Sequence, residues 1–172
     1  MPLISFIIPF YNRLDLLKRA LQNVLSADFN GIEIILVDDA STGRNVADEL
    51  SAFIKHKNII YLRQPENRGP GAARNRGLNA AGGEWIFFMD SDDVIYPKIL
   101  VEIARFLTEA RDCDIVVLAK TMFRRPNGDF QIQQFADGTR EGVVDSFLRG
   151  QILNFPLYSF YWLQKAFMLR RF

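Results

Sequence analysis

Ile32-Glu33-Ile34-Ile35-Leu36-Val37-Asp38-Asp39-Ala40-Ser41-Thr42 decides the fold. Its apolar part is short and rich in β-branched residues, and it stops on two carboxylates. A half-wet strand would alternate apolar and polar residues, whereas a nearly continuous apolar run is a strand covered on both faces. The pattern recurs on either side. Residues 4–9 form an apolar run closed by Pro9 and followed by Phe10-Tyr11-Asn12-Arg13. Residues 59–62 form a third run, leading to Glu66-Asn67-Arg68-Gly69-Pro70-Gly71. Residues 85–89 form a fourth, ending in Asp90-Ser91-Asp92-Asp93.

Helical periodicity fills the intervals. Leu14, Leu17, Leu21, Val24 and Leu25 recur at helical spacing, with Asn12 placed to cap the helix and Asp15 in its first turn. A weaker helix is expected over 46–55, another over 72–81 after a loop at 67–71, and a long amphipathic one through Ile99, Ile103, Phe106, Leu107 and Ala110. A fifth strand is expected over 115–122. Asn127-Gly128 is a hairpin turn signal, with a return strand over 130–135 and a short helix over 143–148. Alternating strands and helices predict an α/β fold with a mostly parallel sheet and helices on both faces, a three-layer α/β/α sandwich. In such sheets ligands bind beyond the carboxyl ends of the strands, where this chain concentrates its polar residues.

Composition narrows the function classes. The 172 residues are 49% hydrophobic and 24% charged, enough apolar surface to exclude a disordered chain. Twenty-one basic and 20 acidic residues give a net charge of +1, so nothing in the charge balance points to a nucleic-acid partner. The single Cys113 excludes an intrachain disulfide and a cysteine zinc site, and fits a reducing, cytoplasmic setting. His56 is the only histidine and lies between two lysines, which sets aside Ser–His and Cys–His nucleophilic machinery. The apolar N-terminus lacks a basic flank and is broken by Pro9, so it does not read as a signal peptide. The apolar stretch 152–169 is interrupted by Asn154, Pro156, Gln164 and Lys165, so it does not read as a membrane span. Residues 151–172 hold three basic side chains, no acidic ones and seven aromatics. That mixture reads as a core edge of a longer chain, or as a peripheral contact with an anionic membrane surface.

Three strand ends carry the candidate chemistry. Asp90, Asp92 and Asp93 place three carboxylates within four residues. Their mutual repulsion is relieved by a hard divalent cation, Mg²⁺ or Mn²⁺, and the alternative is a solvated loop with Asp93 capping the next helix. Gly69, Gly71 and Arg74 could let a phosphate approach a helix N-terminus and pair with a guanidinium, or could simply turn the chain into a helix. Asp38 and Asp39 could accept from a nucleobase or ribose, or Asp39 could cap the next helix, a role also open to Ser41 and Thr42. Gly69-x-Gly71-x-x-Arg74 approximates a dinucleotide fingerprint, but Arg74 replaces the third glycine, and there is no G-K-[ST] phosphate loop. A sugar nucleotidyltransferase would need a glycine-rich loop after the first strand, where Phe10-Tyr11-Asn12-Arg13 stands instead.

Taken in order, Ile7-Ile8-Pro9-Phe10-Tyr11-Asn12, Ile34 to Thr42, Glu66 to Leu78 and Trp85 to Asp93 resemble the inverting family 2 glycosyltransferases of the GT-A fold. The likeness covers roughly residues 3–120. Ala40 departs from the glycine usual in that family. The resemblance implies a nucleotide-diphosphate-sugar donor, most often UDP-linked, and an acceptor that is a sugar, a lipid-linked sugar or a polysaccharide. It implies that Asp90 and Asp92 form a D-x-D pair with Mn²⁺ or Mg²⁺, Asp92 being the direct ligand. Pro9 and Tyr11 would line the nucleoside pocket, Asp38 or Asp39 would contact the nucleoside with Asp39 on the base, and Gly71 and Arg74 would approach the ribose or diphosphate. Residues 1–122 would then be the nucleotide-sugar-binding region, and 123–172 a hairpin and the start of an acceptor-side region. The family's general base lies downstream of the D-x-D, and Asp137, Glu141 and Asp145 are the carboxylates left near the end, none in a matching context. The expectation is a truncated chain, binding donor without turnover, whose cut aromatic edge favours self-association.

Overall fold

The computed structural model describes residues 1–109 apart from 28, 44 and 96, with backbone only at 98, 99 and 109, and the backbone of four later strands. Two compact units divide the chain, Met1–Asp114 with Leu169–Phe172, and Ile115–Met168.

In the first unit the strands are β1 (Ile4–Phe10), β2 (Ile32–Asp38), β3 (Ile59–Arg63) and β4 (Trp85–Phe88). They lie in the order β3-β2-β1-β4, all parallel, with Ile4 opposite Ile32 and Trp85, and Ile34 opposite Ile59. β1 is buried at every position, as its apolar run, interrupted only by Ser5, requires. Helix α1 (Leu14–Leu25) joins β1 to β2. The expected helix over 46–55 is two short ones, α2 (Val46–Glu49) and α3 (Ser51–Ile54), because Leu50 turns away from helical geometry between them. Helix α4 (Gly69–Ala80) joins β3 to β4, and α5 (Pro97–Glu109) follows.

The crossover β1–α1–β2 steps across the sheet one way, and β3–α4–β4 steps back the other way. Right-handed connections therefore put α1 and α4 on opposite faces. The side chains agree. Ile7, Ile35, Val37 and Ile86 cluster with Ala73 of α4. On the other face Phe6 meets Phe87 edge-on at 5.2 Å. Lys18 of α1 pairs with Glu49 of α2 at 2.7 Å, consistent with both helices lying on that second face. Seating α4 depends on Gly77: a Cβ there would come within 2.4 Å of Ile7 Cγ2 and 3.3 Å of Val37 Cγ2.

Several local readings change. Asn12 does not cap α1: Arg13 holds the N-cap position, and Asn12 takes a left-handed φ of 54° in the turn before it. Asn45, not Ser41 or Thr42, caps α2, by accepting from the Asp48 N–H. Helix α4 starts at Gly69 rather than 72, because Gly69 at φ 82° turns the chain and Pro70 suits the first helical turn. Asp93 does not cap α5, which begins at Pro97; its carboxylate accepts from the Asp90 N–H at 3.2 Å.

In the second unit β5 (Ile115–Val117) and β6 (Lys120–Arg124) take the place of one expected strand. β6 and β7 (Phe130–Gln134) pair antiparallel with Arg124 opposite Phe130, so the expected return strand is paired, though in a register one residue away from that of a two-residue Asn127-Gly128 loop. β8 (Phe167–Arg170) falls across the division, with Phe167 and Met168 in the second unit and Leu169 and Arg170 in the first. Residues 143–148, Cys113, Asp137, Glu141 and Asp145 lie outside the described residues. Among the described residues, no helix is long and apolar enough to cross a membrane.

Candidate nucleotide-binding edge

Strand order reverses direction between β1 and β4, so the carboxyl ends of these two strands flank the crevice where an α/β sheet takes its ligand. The residues after β1 and β4 meet across it: the Arg13 guanidinium donates to Asp92 Oδ2 at 3.2 Å. Both side chains are largely solvated, at 56% and 41% exposure, so this contact is weak and replaceable. Tyr11, two residues before Arg13, is 41% exposed at the same edge. Pro9 is buried within β1, opposite Val37.

Below the rim lies a tighter pair. Arg74, in the second turn of α4, donates to Asp90 Oδ1 at 2.9 Å, with side-chain exposures of 11% and 10%. Arg74 Nε is buried and has no hydrogen-bond partner among the described residues. A buried donor of this kind calls for an acceptor supplied from elsewhere. Gly71 stands just before this pair, and a Cβ on it would meet nothing within 4 Å.

The two aspartates after β2 divide their work. Asp38 is fully buried. Its Oδ1 accepts from the Ser41 N–H at 2.8 Å, and its Oδ2 from the Tyr61 hydroxyl at 3.0 Å and the Arg63 guanidinium. Burial pushes the Tyr61 hydroxyl above its usual value of 10.0, against the lowering by Arg63, and the Asp38 charge adds to the rise. Asp39 reaches toward α4 instead. Its Oδ1 accepts from Gln64 Nε2 at 2.6 Å and the Arg68 N–H at 2.9 Å, and its Oδ2 from the Gly69 N–H at 2.8 Å. The start of α4 is thus already met by a carboxylate, which is where its positive end favours one.

The residues named from the sequence therefore gather along one sheet edge: Tyr11 after β1, Asp38 and Asp39 at and after the end of β2, Gly71 and Arg74 at α4, Asp90 and Asp92 after β4, and Arg13 joins them. Sequence reasoning missed Tyr61, Arg63 and Gln64, which support the two aspartates. Their only sequence signal is polarity at the end of the third strand. Among the described residues no three His, Cys, Asp or Glu side chains converge on a cation-sized cage. One or two carboxylates are nevertheless the donor set a Mg²⁺-like ion uses when phosphates supply its other ligands; the solvated Asp92 fits that role directly, with the enclosed, Arg74-paired Asp90 behind it.

Known proteins are similar to this chain. The profile described as Glycosyl transferase family 2 matches residues 5–170. An uncharacterized glycosyltransferase of Haemophilus influenzae is 42% identical over 95 residues, 55% of this chain and 38% of that protein. Glycosyltransferase GlyG of Streptococcus pneumoniae is 33% identical over 129 residues, 74% of this chain and 42% of its own length. This chain therefore spans less than half of these curated relatives. Among solved structures, S. aureus TarS in complex with UDP-GlcNAc is 30% identical with a TM-score of 0.62, covering 69% of this chain and 34% of TarS. Mannosyltransferase PcManGT from Pyrobaculum calidifontis, 24% identical with a TM-score of 0.60 over 73% of this chain and 36% of its own, shares the fold. The parallel sheet with its polar carboxyl edge is the GT-A architecture, and with a profile match over nearly its whole length the chain belongs to glycosyl transferase family 2.

Proposed function

We propose that this chain supplies the donor site of a glycosyltransferase that uses a nucleotide-diphosphate sugar, UDP-linked, with a divalent cation. The observation that carries the reading is the crevice between β1 and β4, where the buried Arg74–Asp90 pair lies under the solvated Asp92. TarS, similar over 69% of this chain, is known with UDP-GlcNAc, which supports UDP as the nucleotide.

In this reading Pro9 and Tyr11 line the nucleoside pocket and Asp39 meets the base. Asp38, fully enclosed by its own donors, acts behind Asp39 by holding the turn. Gly71 leaves open room beside the ribose and diphosphate, and Arg74 Nε donates there. Asp92, with Asp90, holds Mn²⁺ or Mg²⁺, which supplies positive charge against the departing diphosphate. Transfer forms a bond from an acceptor hydroxyl oxygen to the anomeric carbon while the carbon–phosphate-oxygen bond breaks, with inversion, and a general base takes the hydroxyl proton. A donor-binding segment without turnover is the alternative reading. The acceptor is a sugar, lipid-linked sugar or polysaccharide, met at the membrane periphery. A 37% identical relative named for succinoglycan biosynthesis, matched over 58% of this chain, supports a polysaccharide.

Titration calorimetry with UDP and Mn²⁺ tests the reading. Saturable UDP binding that weakens in Asp39→Asn is expected. Equal affinity of the variant, or no binding by the wild type, removes the assignment. Release of UDP from UDP-sugars would identify the chain as an enzyme in its own right.

A further inference from the structure

We propose that Asn12 is a positioning residue of this edge: it fastens the turn after β1 to the turn after β2 and so sets how Tyr11 stands relative to Asp39. The inference rests on the donor-site reading above. Three contacts join residues about 30 apart in sequence. The Asn12 N–H donates to Ser41 Oγ at 2.9 Å, the Thr42 N–H donates to Asn12 Oδ1 at 2.7 Å, and Asn12 Nδ2 donates to Thr42 Oγ1 at 3.4 Å. The backbone adds the Asp39 N–H donating to the Phe10 carbonyl at 2.9 Å.

Both turns hold a non-glycine residue in the left-handed region, Asn12 at φ 54° and Ala40 at φ 60°. That conformation is costly for an L-residue and least so for Asn, whose side chain can bond locally. Here the left-handed Asn12 turns its main-chain N–H and its side-chain amide toward the same neighbouring turn, so the strained conformation is what makes the reciprocal pairing. The far side of the β2 turn is held separately. The Ser41 N–H donates to Asp38 Oδ1, and Arg63 donates to the Ser41 carbonyl at 2.9 Å. Loss of the Asn12 side chain thus releases one side of the turn and leaves the other anchored. Asn12 is exposed and lies between Tyr11 and the N-cap residue of α1, so it acts on the site through its neighbours.

Asn12→Gly keeps the left-handed backbone and its N–H but loses both side-chain bonds, whereas Asn12→Asp keeps the Oδ1 acceptor. Calorimetric binding of uridine and of UDP with Mn²⁺, with melting followed by circular dichroism, separates the roles. Asn12→Gly is expected to weaken uridine and UDP alike by about tenfold, the size of one or two lost hydrogen bonds, with Asn12→Asp within about threefold of wild type and both melting near it. Wild-type affinity in Asn12→Gly, an equal loss in Asn12→Asp, a loss for UDP but not uridine, or a Gly variant that does not fold each overturns the proposal. Wild-type protein that binds neither ligand overturns the donor-site reading beneath it.

Discussion

The Arg74 guanidinium sits 2.9 Å from the Asp90 carboxylate with both side chains about nine-tenths enclosed, joining α4 to the end of β4. Removing one partner leaves the other charge buried without its counter-ion, the costly way to break such a pair. Arg74→Ala is expected to lower stability by about 3 kcal/mol in urea unfolding followed by the fluorescence of buried Trp85. Arg74→Lys keeps the charge but loses the planar fork, and should cost less. A loss below about 0.5 kcal/mol for Arg74→Ala, the range of an ordinary surface change, would count against a buried pair.

Asp92 stands in the opposite situation. Its contact with Arg13 is solvated at both ends, so Asp92→Asn should leave stability within about 0.5 kcal/mol of wild type. On the donor-site proposal, the same variant should lose any gain in UDP affinity produced by Mn²⁺. Calorimetry with and without Mn²⁺ reads this directly, and a retained metal effect would remove Asp92 as a ligand.

Ala40 holds φ at 60°, where glycine carries no Cβ penalty. Ala40→Gly trades that strain against added freedom in the unfolded chain, and a net gain of about 0.5 kcal/mol is expected. The midpoint of urea unfolding checks the sign. A lower midpoint would mean the turn relaxes around the methyl group.

Tyr61 gives an alkaline signature. Its hydroxyl titrates above 10.0 in the folded chain because burial disfavours the phenolate, and the neighbouring Asp38 charge adds to this. Between the unfolded and folded values the native state holds a proton that the unfolded state has released, so stability falls as pH rises through that window. Below pH 10 the contribution is fully present. Tyr61→Phe should flatten this slope while weakening the hold on Asp38, and unfolding curves on either side of pH 10 compare the two proteins. An identical slope in the variant would assign the alkaline loss to other groups.

The fold was legible where one residue type settles the matter. The nearly continuous apolar runs of β1, β2 and β4 are satisfied by strands covered on both faces, and the polar stops at Asp38 and Asp90 marked the carboxyl ends of β2 and β4. Capping was less legible, because Asn12 satisfies either a helix start or a left-handed turn, and the choice depends on Ser41 and Thr42 about 30 residues away. The start of α4 was no more legible: Gly69 and Pro70 mark a loop as readily as a first helical turn, and the Asp39 carboxylate that meets the helix is remote in sequence. Tyr61, Arg63 and Gln64 escaped notice because their importance comes entirely from the strand pairing that brings β3 beside β2.

Gly77 has a practical consequence. Its bare Cα rests directly against Ile7 and Val37, so the height of α4 above the sheet is fixed by backbone against side chain rather than by any rotamer of the helix. Arg74, one turn earlier, inherits that height. The outer side of the same helix, with Asn75, Arg76, Leu78 and Asn79 in solvent, contributes nothing to it. A surface tether attached at Asn79, about 7.5 Å along the helix axis from Arg74, would therefore leave that seating undisturbed.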